Sequence, residues 1–225
     1  MILLAPSLGI LQAFRFGASD RDHVARLLHW AEFAPNARVV DLGAGDGIIA
    51  QHMAALRPDL QFCLVDQKPP TCTQALAQML RHQADIANVP KPDAAFDAVL
   101  CCYAMGYVSA TTIWREMARL VPPAGVVFVV DMVPNDTTQA SVELFGYQVR
   151  SRALVEAAAI EAGLGLDLYI EPYDPGDWGR AVFSGAFDVF FGDFHPAIWR
   201  FSGPKPKVKA NSRANPAPNA CAIGW

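Results

Sequence analysis

The segment Gly125-Val-Val-Phe-Val-Val-Asp-Met-Val133 limits most sharply what this chain can become: five of its nine residues are valine and only Asp131 is charged. Valine is stiff at its branched carbon and favours extended backbone. The run is far shorter than the ~20 apolar residues that cross a bilayer. It lacks the polar–apolar alternation of a strand with one wet face, so it reads as a strand covered on both faces. Three more short runs have the same character: RVVDLG (38–43), QFCLVD (61–66) and FDAVLCCY (96–103). Segments of helical spacing lie between and after them, at roughly 20–33, 47–56, 71–83, 110–121 and 151–163. LGLDLYIE and AFDVFFGDFHPAIWRF are late strand candidates. Strands alternating with helices predict an α/β fold, a parallel sheet with helices on both faces.

Composition agrees with a packed interior. The chain has 225 residues, 52% hydrophobic and 18% charged, which excludes a disordered polymer and suits one large domain. Residues 1–34 are expected to form an N-terminal segment and helix that packs on the domain or acts as a lid, 35–201 the main domain, and 202–225 an extended arm. No charge precedes Arg15, and without a basic start the N-terminus does not read as a signal peptide. Cysteines at 63, 72, 101, 102 and 221 make no C-x-x-C pair, and the five histidines are scattered. Neither a zinc site nor a disulfide framework is expected, and the default compartment is the reducing cytoplasm.

Charge is unevenly spread. Residues 202–225 carry Lys205, Lys207, Lys209 and Arg213 with no acid, so this arm is +4. The net charge of −4 leaves −8 on the rest. An acidic body is a poor nucleic-acid reader. The proline-rich basic arm reads as a docking element for self-association or a protein partner.

The most informative motif is Val39-Val-Asp-Leu-Gly-Ala-Gly-Asp-Gly47, where a strand turns into a helix. Glycines 43, 45 and 47 allow positive φ and leave room for a ligand. The helix start behind them favours a carboxylate or phosphate. The dinucleotide spacing G-x-G-x-x-G fails, because its last position falls on Ile48. Asp66 ends the next strand, 19 residues after Gly47, where a carboxylate can accept from both hydroxyls of a ribose.

The spacing Asp41-x-Gly43-x-Gly45-x-Gly47 resembles motif I of the class I S-adenosylmethionine-dependent methyltransferases. FDAVLCCYAMGYV resembles that family's fourth strand, and IWREMARLVPPAGVVFVVD its helix-to-strand segment, with Pro123-Ala124-Gly125 departing slightly from the usual turn. The likeness covers roughly residues 10–200. It implies a Rossmann-like, doubly wound, mostly parallel seven-stranded sheet with the last strand antiparallel. It also implies S-adenosyl-L-methionine as cofactor, held by Asp41, Gly43, Gly45 and Gly47, with Asp66 on the ribose. Gln67 would line the adenine slot, Asp85 and Ile86 would meet the adenine edge, and Cys102 and Tyr103 would face the ligand after the fourth strand.

Such a donor already carries a reactive methyl, so alignment and water exclusion supply much of the catalysis. The segment Cys101-Cys102-Tyr103-Ala104 has neither the Asp/Asn-Pro-Pro-aromatic motif of DNA amino-methyltransferases nor the Pro-Cys of cytosine-C5 enzymes. The stretch better resembles small-molecule methyltransferases. Candidates for a catalytic group are Tyr103, His195 and Glu143, with Glu143 and Tyr147 between the 125–133 strand and the next helix, where the family often carries a lid. The expected function is methyl transfer to a small molecule. The alternative is a protein of the same fold serving as an assembly component docked through its arm.

Overall fold

A computed structural model describes residues 21–68, 79–144, 146–171 and 194–204. In order, the elements are α1 (Arg21–Ala31), β1 (Arg38–Leu42), α2 (Ile48–Leu56), β2 (Gln61–Asp66), β3 (Leu80–Gln83) and β4 (Ala98–Cys102). A 3₁₀ turn (Met105–Tyr107) leads into α3 (Ala110–Leu120). There follow β5 (Val126–Pro134), β6 (Ser141–Leu144), β7 (Tyr147–Arg150), α4 (Arg152–Glu161), β8 (Gly165–Ile170) and β9 (Phe194–Ser202).

Seven strands form one sheet in the order β3-β2-β1-β4-β5-β9-β8. The first five are mutually parallel, and β9 runs antiparallel to both β5 and β8. This is the Rossmann-like order with an antiparallel last strand. Alternation along each central strand feeds two cores. Val40, Leu42, Val65, Val99 and Val129 pack on the face covered by α3 and α4. Val39, Leu64, Leu100, Phe128 and Val130 pack with Val24, Leu27 and Met53 on the face covered by α1 and α2.

Local signals start the helices. Ser109 caps α3, its side chain accepting from the Thr112 N–H at 3.3 Å, and Ser151 caps α4 through the Leu154 N–H at 3.3 Å. α3 is strongly amphipathic, burying Ile113, Trp114, Met117 and Leu120.

Two expectations need correction. The helix expected over 71–83 does not reach Gln83: Leu80–Gln83 is strand β3, paired in parallel with β2. Leu, Arg and Gln are good helix formers, but the open edge of β2 offers a ladder of hydrogen bonds that outweighs so weak a preference. The remainder of that segment lies outside the described residues. The lid loop after β5 is instead a two-stranded hairpin, β6–β7, carrying Glu143 and Tyr147. The N-terminal segment before Arg21 and the arm beyond Pro204 also lie outside the described residues. Ser202 still pairs with Val126 inside β9, and the Gly203 N–H donates to the Gly125 carbonyl at 2.8 Å. Among the described residues, no helix is long and apolar enough to cross a membrane.

Candidate active site

From β1 the chain winds outward through β2 to β3, then returns to place β4 on the other side of β1. Connections leaving the carboxyl ends of β1 and β4 therefore diverge and open a crevice between them. Gly43, Gly45 and Gly47 have φ of +74°, +55° and +73°, as a sharp strand-to-helix turn requires. Gly43 is also sterically obligatory, because a Cβ there would lie 2.2 Å from the Cβ of Ala104, just beyond β4.

Asp66 holds this turn. Its Oδ2 accepts from the Gly45 N–H at 2.8 Å, and its Oδ1 from the Lys68 N–H at 2.9 Å. The backbone at Asp66 also accepts from the Ala84 N–H, bringing the loop after β3 alongside. In that loop Asp85 Oδ1 accepts from the Ala87 N–H at 2.9 Å, and Ile86 is buried. The same loop is secured from α3. Glu116 accepts from the Val89 N–H at 2.7 Å, and Arg119 donates to the Val89 and Lys91 carbonyls while pairing with Glu116 at 2.7 Å.

Together these segments enclose a cleft of about 600 Å³ lined by Gly43, Asp66, Gln67, Lys68, Asp85 and Ile86 on one side. Ala104, Tyr107, Val108 and Ser109 line the other. Five of the sequence candidates thus meet in one place: Gly43, Asp66, Gln67, Asp85 and Ile86. Asp41 is buried within β1, and Gly45 and Gly47 shape the turn, without lining the cleft. Cys102 and Tyr103 are half-buried at the end of β4, where Tyr103 takes φ of +53° and its N–H donates to the Val130 carbonyl at 2.8 Å. Burial and the nearby Asp41 carboxylate push the Cys102 thiol well up, so it is no ready thiolate.

Tyr103, His195 and Glu143 do not line the cleft. His195 stands at the start of β9 with Nε2 2.6 Å from Glu171 Oε1 and Nδ1 against Asn135 Oδ1. Glu143 is exposed on β6. The loop after β4 was expected to face the ligand, but Lys68, Ala104, Val108 and Ser109 were not singled out for the site. Ser109 carried a signal, as a capping serine directly before the periodicity of α3.

A buried polar group lies behind this wall. Asp131 on β5 is 1% exposed; its Oδ2 accepts from the Tyr147 hydroxyl at 2.5 Å and its Oδ1 from the Met132 N–H at 2.7 Å. Burial pushes its pKa up to about 7, against the lowering effect of these bonds and of nearby Arg150. Arg150, itself buried, donates to the Met105 carbonyl at 2.9 Å and to the Val108 carbonyl. The Tyr147 ring meets Tyr107 edge-on, centroids 4.8 Å apart, and lies so close to Gly106 that a Cβ there would be 2.3 Å from it.

The family model for a methyltransferase domain matches residues 39–125, the span that contains the glycine turn, Asp66, the Asp85 loop and the 104–109 wall. Residues 39–125 of this chain are thus similar to a methyltransferase domain. The ribosomal RNA small subunit methyltransferase G of Methylococcus capsulatus is 28% identical over 116 residues, 48% of this chain and 54% of that protein. The chain therefore spans about half the length of that curated relative. The solved [4+2]-cyclase SpnF superposes with a TM-score of 0.64 at 16% identity, over 82% of this chain and 81% of that one. Geranyl diphosphate C-methyltransferase from Streptomyces coelicolor A3(2), solved with S-adenosyl-L-homocysteine, gives 0.62 at 13%, over 80% and 75%. At such identities the structural likeness is one of fold.

Proposed function

We propose that this chain is a methyltransferase, which holds S-adenosylmethionine in the β1–β4 crevice and transfers its methyl to a small-molecule acceptor lying against the 104–109 wall. The arrangement of Asp66 carries the reading. Each of its oxygens already accepts one backbone N–H, which fixes the carboxylate, and each retains a lone pair for a ribose hydroxyl. The residues present suit the cofactor. Gly43 is bare where a side chain would collide with Ala104, Asp66 suits a ribose, and Asp85 with Ile86 offers an acceptor beside an apolar surface for adenine.

When bound, S-adenosylmethionine supplies an electrophilic methyl. The chain's own residues bind, orient and exclude water. Gly43 lets the turn approach closely, while Ala104 and Val108 present apolar surface. Tyr107, 52% exposed, stands at the cleft with Ser109 beside it. An acidic body, −8 before the arm, supports a small acceptor over a polyphosphate chain. The basic arm, 202–225, is proposed to dock on a protein partner or a second copy.

Calorimetry with S-adenosylhomocysteine tests the cofactor site: micromolar binding that weakens in Asp66→Ala supports it, and a wild-type protein indifferent to the ligand overturns it. Radiolabelled methyl transfer separates acceptors. Label appearing in small-molecule extracts supports the proposal; label appearing only in ribosomal RNA overturns it.

A further inference from the structure

The wall of the cleft formed by residues 104–109 is not held by its own hydrogen bonds. Within the 3₁₀ turn, the Tyr107 N–H reaches the Ala104 carbonyl and the Val108 N–H the Met105 carbonyl, both at a long 3.3 Å. The stronger contacts come from β7, outside the cleft. Arg150 forks across the turn, one amino group on the Met105 carbonyl and the other on that of Val108. Tyr147 lays its ring over Gly106 and against Tyr107, and anchors its hydroxyl on the buried Asp131. Gln148 Oε1 receives a further bond from Arg150 at 3.2 Å.

We infer that Arg150 and Tyr147 are positioning residues which, seated on Asp131, fix Tyr107 and Val108 at the acceptor side of the cleft. The identity of that side rests on the methyltransferase reading above; the clamp itself does not. A guanidinium suits this task because its planar fork meets two carbonyls at once, whereas an ammonium is a single point of donation. Burying this cation is costly, and desolvation lowers the Arg150 pKa, with the nearby Tyr147 and Asp131 opposing that only in part.

The clamp has a built-in dependence on pH. The groups facing Asp131 are Tyr147 and Arg150 from β7, the thiols of Cys101 and Cys102 from β4, and the backbones of Met105 and Met132. Of these, only Asp131 titrates near neutrality; burial holds the Cys101, Cys102 and Tyr147 protons well above it. With its pKa raised in the closed arrangement, any opening that hydrates Asp131 becomes easier as pH rises through 4–7.

The test is amide hydrogen exchange of the full chain, resolved at residues 104–109 and corrected for the intrinsic pH effect. Arg150→Lys should speed exchange of the Tyr107 and Val108 amides by about tenfold, the value of one lost net hydrogen bond, and leave β1 and β4 unchanged. Wild-type protection of the turn should fall at least about tenfold from pH 5 to pH 7.5 by linkage, and Asp131→Asn should flatten that dependence. Tyr147→Phe, which keeps the ring and loses only the hydroxyl, provides a second variant should Arg150→Lys fail to fold. Unchanged local exchange in the folded variants, or a wild-type turn indifferent to pH, overturns the clamp. S-adenosylhomocysteine calorimetry on the wild type is run in parallel. Its failure overturns the cofactor reading without altering the exchange result.

Discussion

Replacing Asp131 by Asn should make this protein more resistant to unfolding above neutral pH. The carboxyl has an ordinary pKa of 3.8 and is raised to about 7 by burial in the fold. Between these values the folded chain keeps a proton that the unfolded chain has released. The stability this carboxyl contributes is therefore fully present below pH 3.8 and is lost as pH rises through 7. Over the two units from pH 5 to pH 7, at 1.36 kcal/mol per unit, the loss is about 3 kcal/mol, and it does not grow above pH 7. Asn mimics the protonated acid: its carbonyl can accept from the Met132 N–H while its amide donates to the Tyr147 oxygen, which can reverse its role. Urea unfolding of both proteins at pH 5 and pH 8 isolates the effect, because every other titrating group is shared. The stability difference should move by about 3 kcal/mol towards the variant at pH 8. A difference that does not change with pH, or that moves towards the wild type, would refute the account of Asp131 as a desolvated acid.

Asp66→Ala should weaken S-adenosylhomocysteine binding by about 1.5–3 kcal/mol in calorimetry, since it removes charge-assisted acceptors and also frees the Gly45 N–H; unchanged affinity would sink the ribose assignment. Gly43→Ala should lower stability by about 1–3 kcal/mol, combining a φ of +74° with a 2.2 Å approach to Ala104, and denaturant curves matching wild type would contradict that geometry. Glu116→Ala should cost about 3 kcal/mol, leaving the Val89 N–H without its acceptor and Arg119 without its partner, while Glu116→Gln should cost less. Truncation after Pro204 keeps β9 complete; it should leave urea unfolding unchanged and weaken self-association at low salt, as light scattering would reveal.

The sheet was legible because its central strands are covered on both faces, which writes them as short, nearly uninterrupted apolar runs. β1, β2, β4 and β5 all fall where those runs stand, and the glycine turn marks where the crevice opens. β3 was not legible. Leu80-Arg-His-Gln83 has no strand character, and its extended form comes from pairing with β2, a contact between segments that local composition cannot report. The β6–β7 hairpin was hidden for a related reason: Glu143 and Tyr147 look like solvated loop residues until Asp131 is seen beneath Tyr147. One clue was present, because an acid inside a valine-rich buried strand must find partners. Asp66 came from its place at the end of the second strand and Asp85 from the family resemblance, whereas Val108 entered the cleft only through the bend of the chain after β4. His195 was a candidate by residue type; its two nitrogens meet Glu171 and Asn135, which are not among the residues that line the cleft.

α3 joins the two sides of the cleft. Its cap, Ser109, belongs to the 104–109 wall, and two turns further on Glu116 and Arg119 grip the loop that carries Asp85 and Ile86. The gap between nucleoside side and acceptor side is therefore gauged by the seating of one helix on Val99, Cys101 and Val129 of the sheet. Side chains such as Trp114 and Met117, which do not line the cleft, act as shims under that helix: enlarging or trimming one would alter the spacing between the walls without replacing any lining residue.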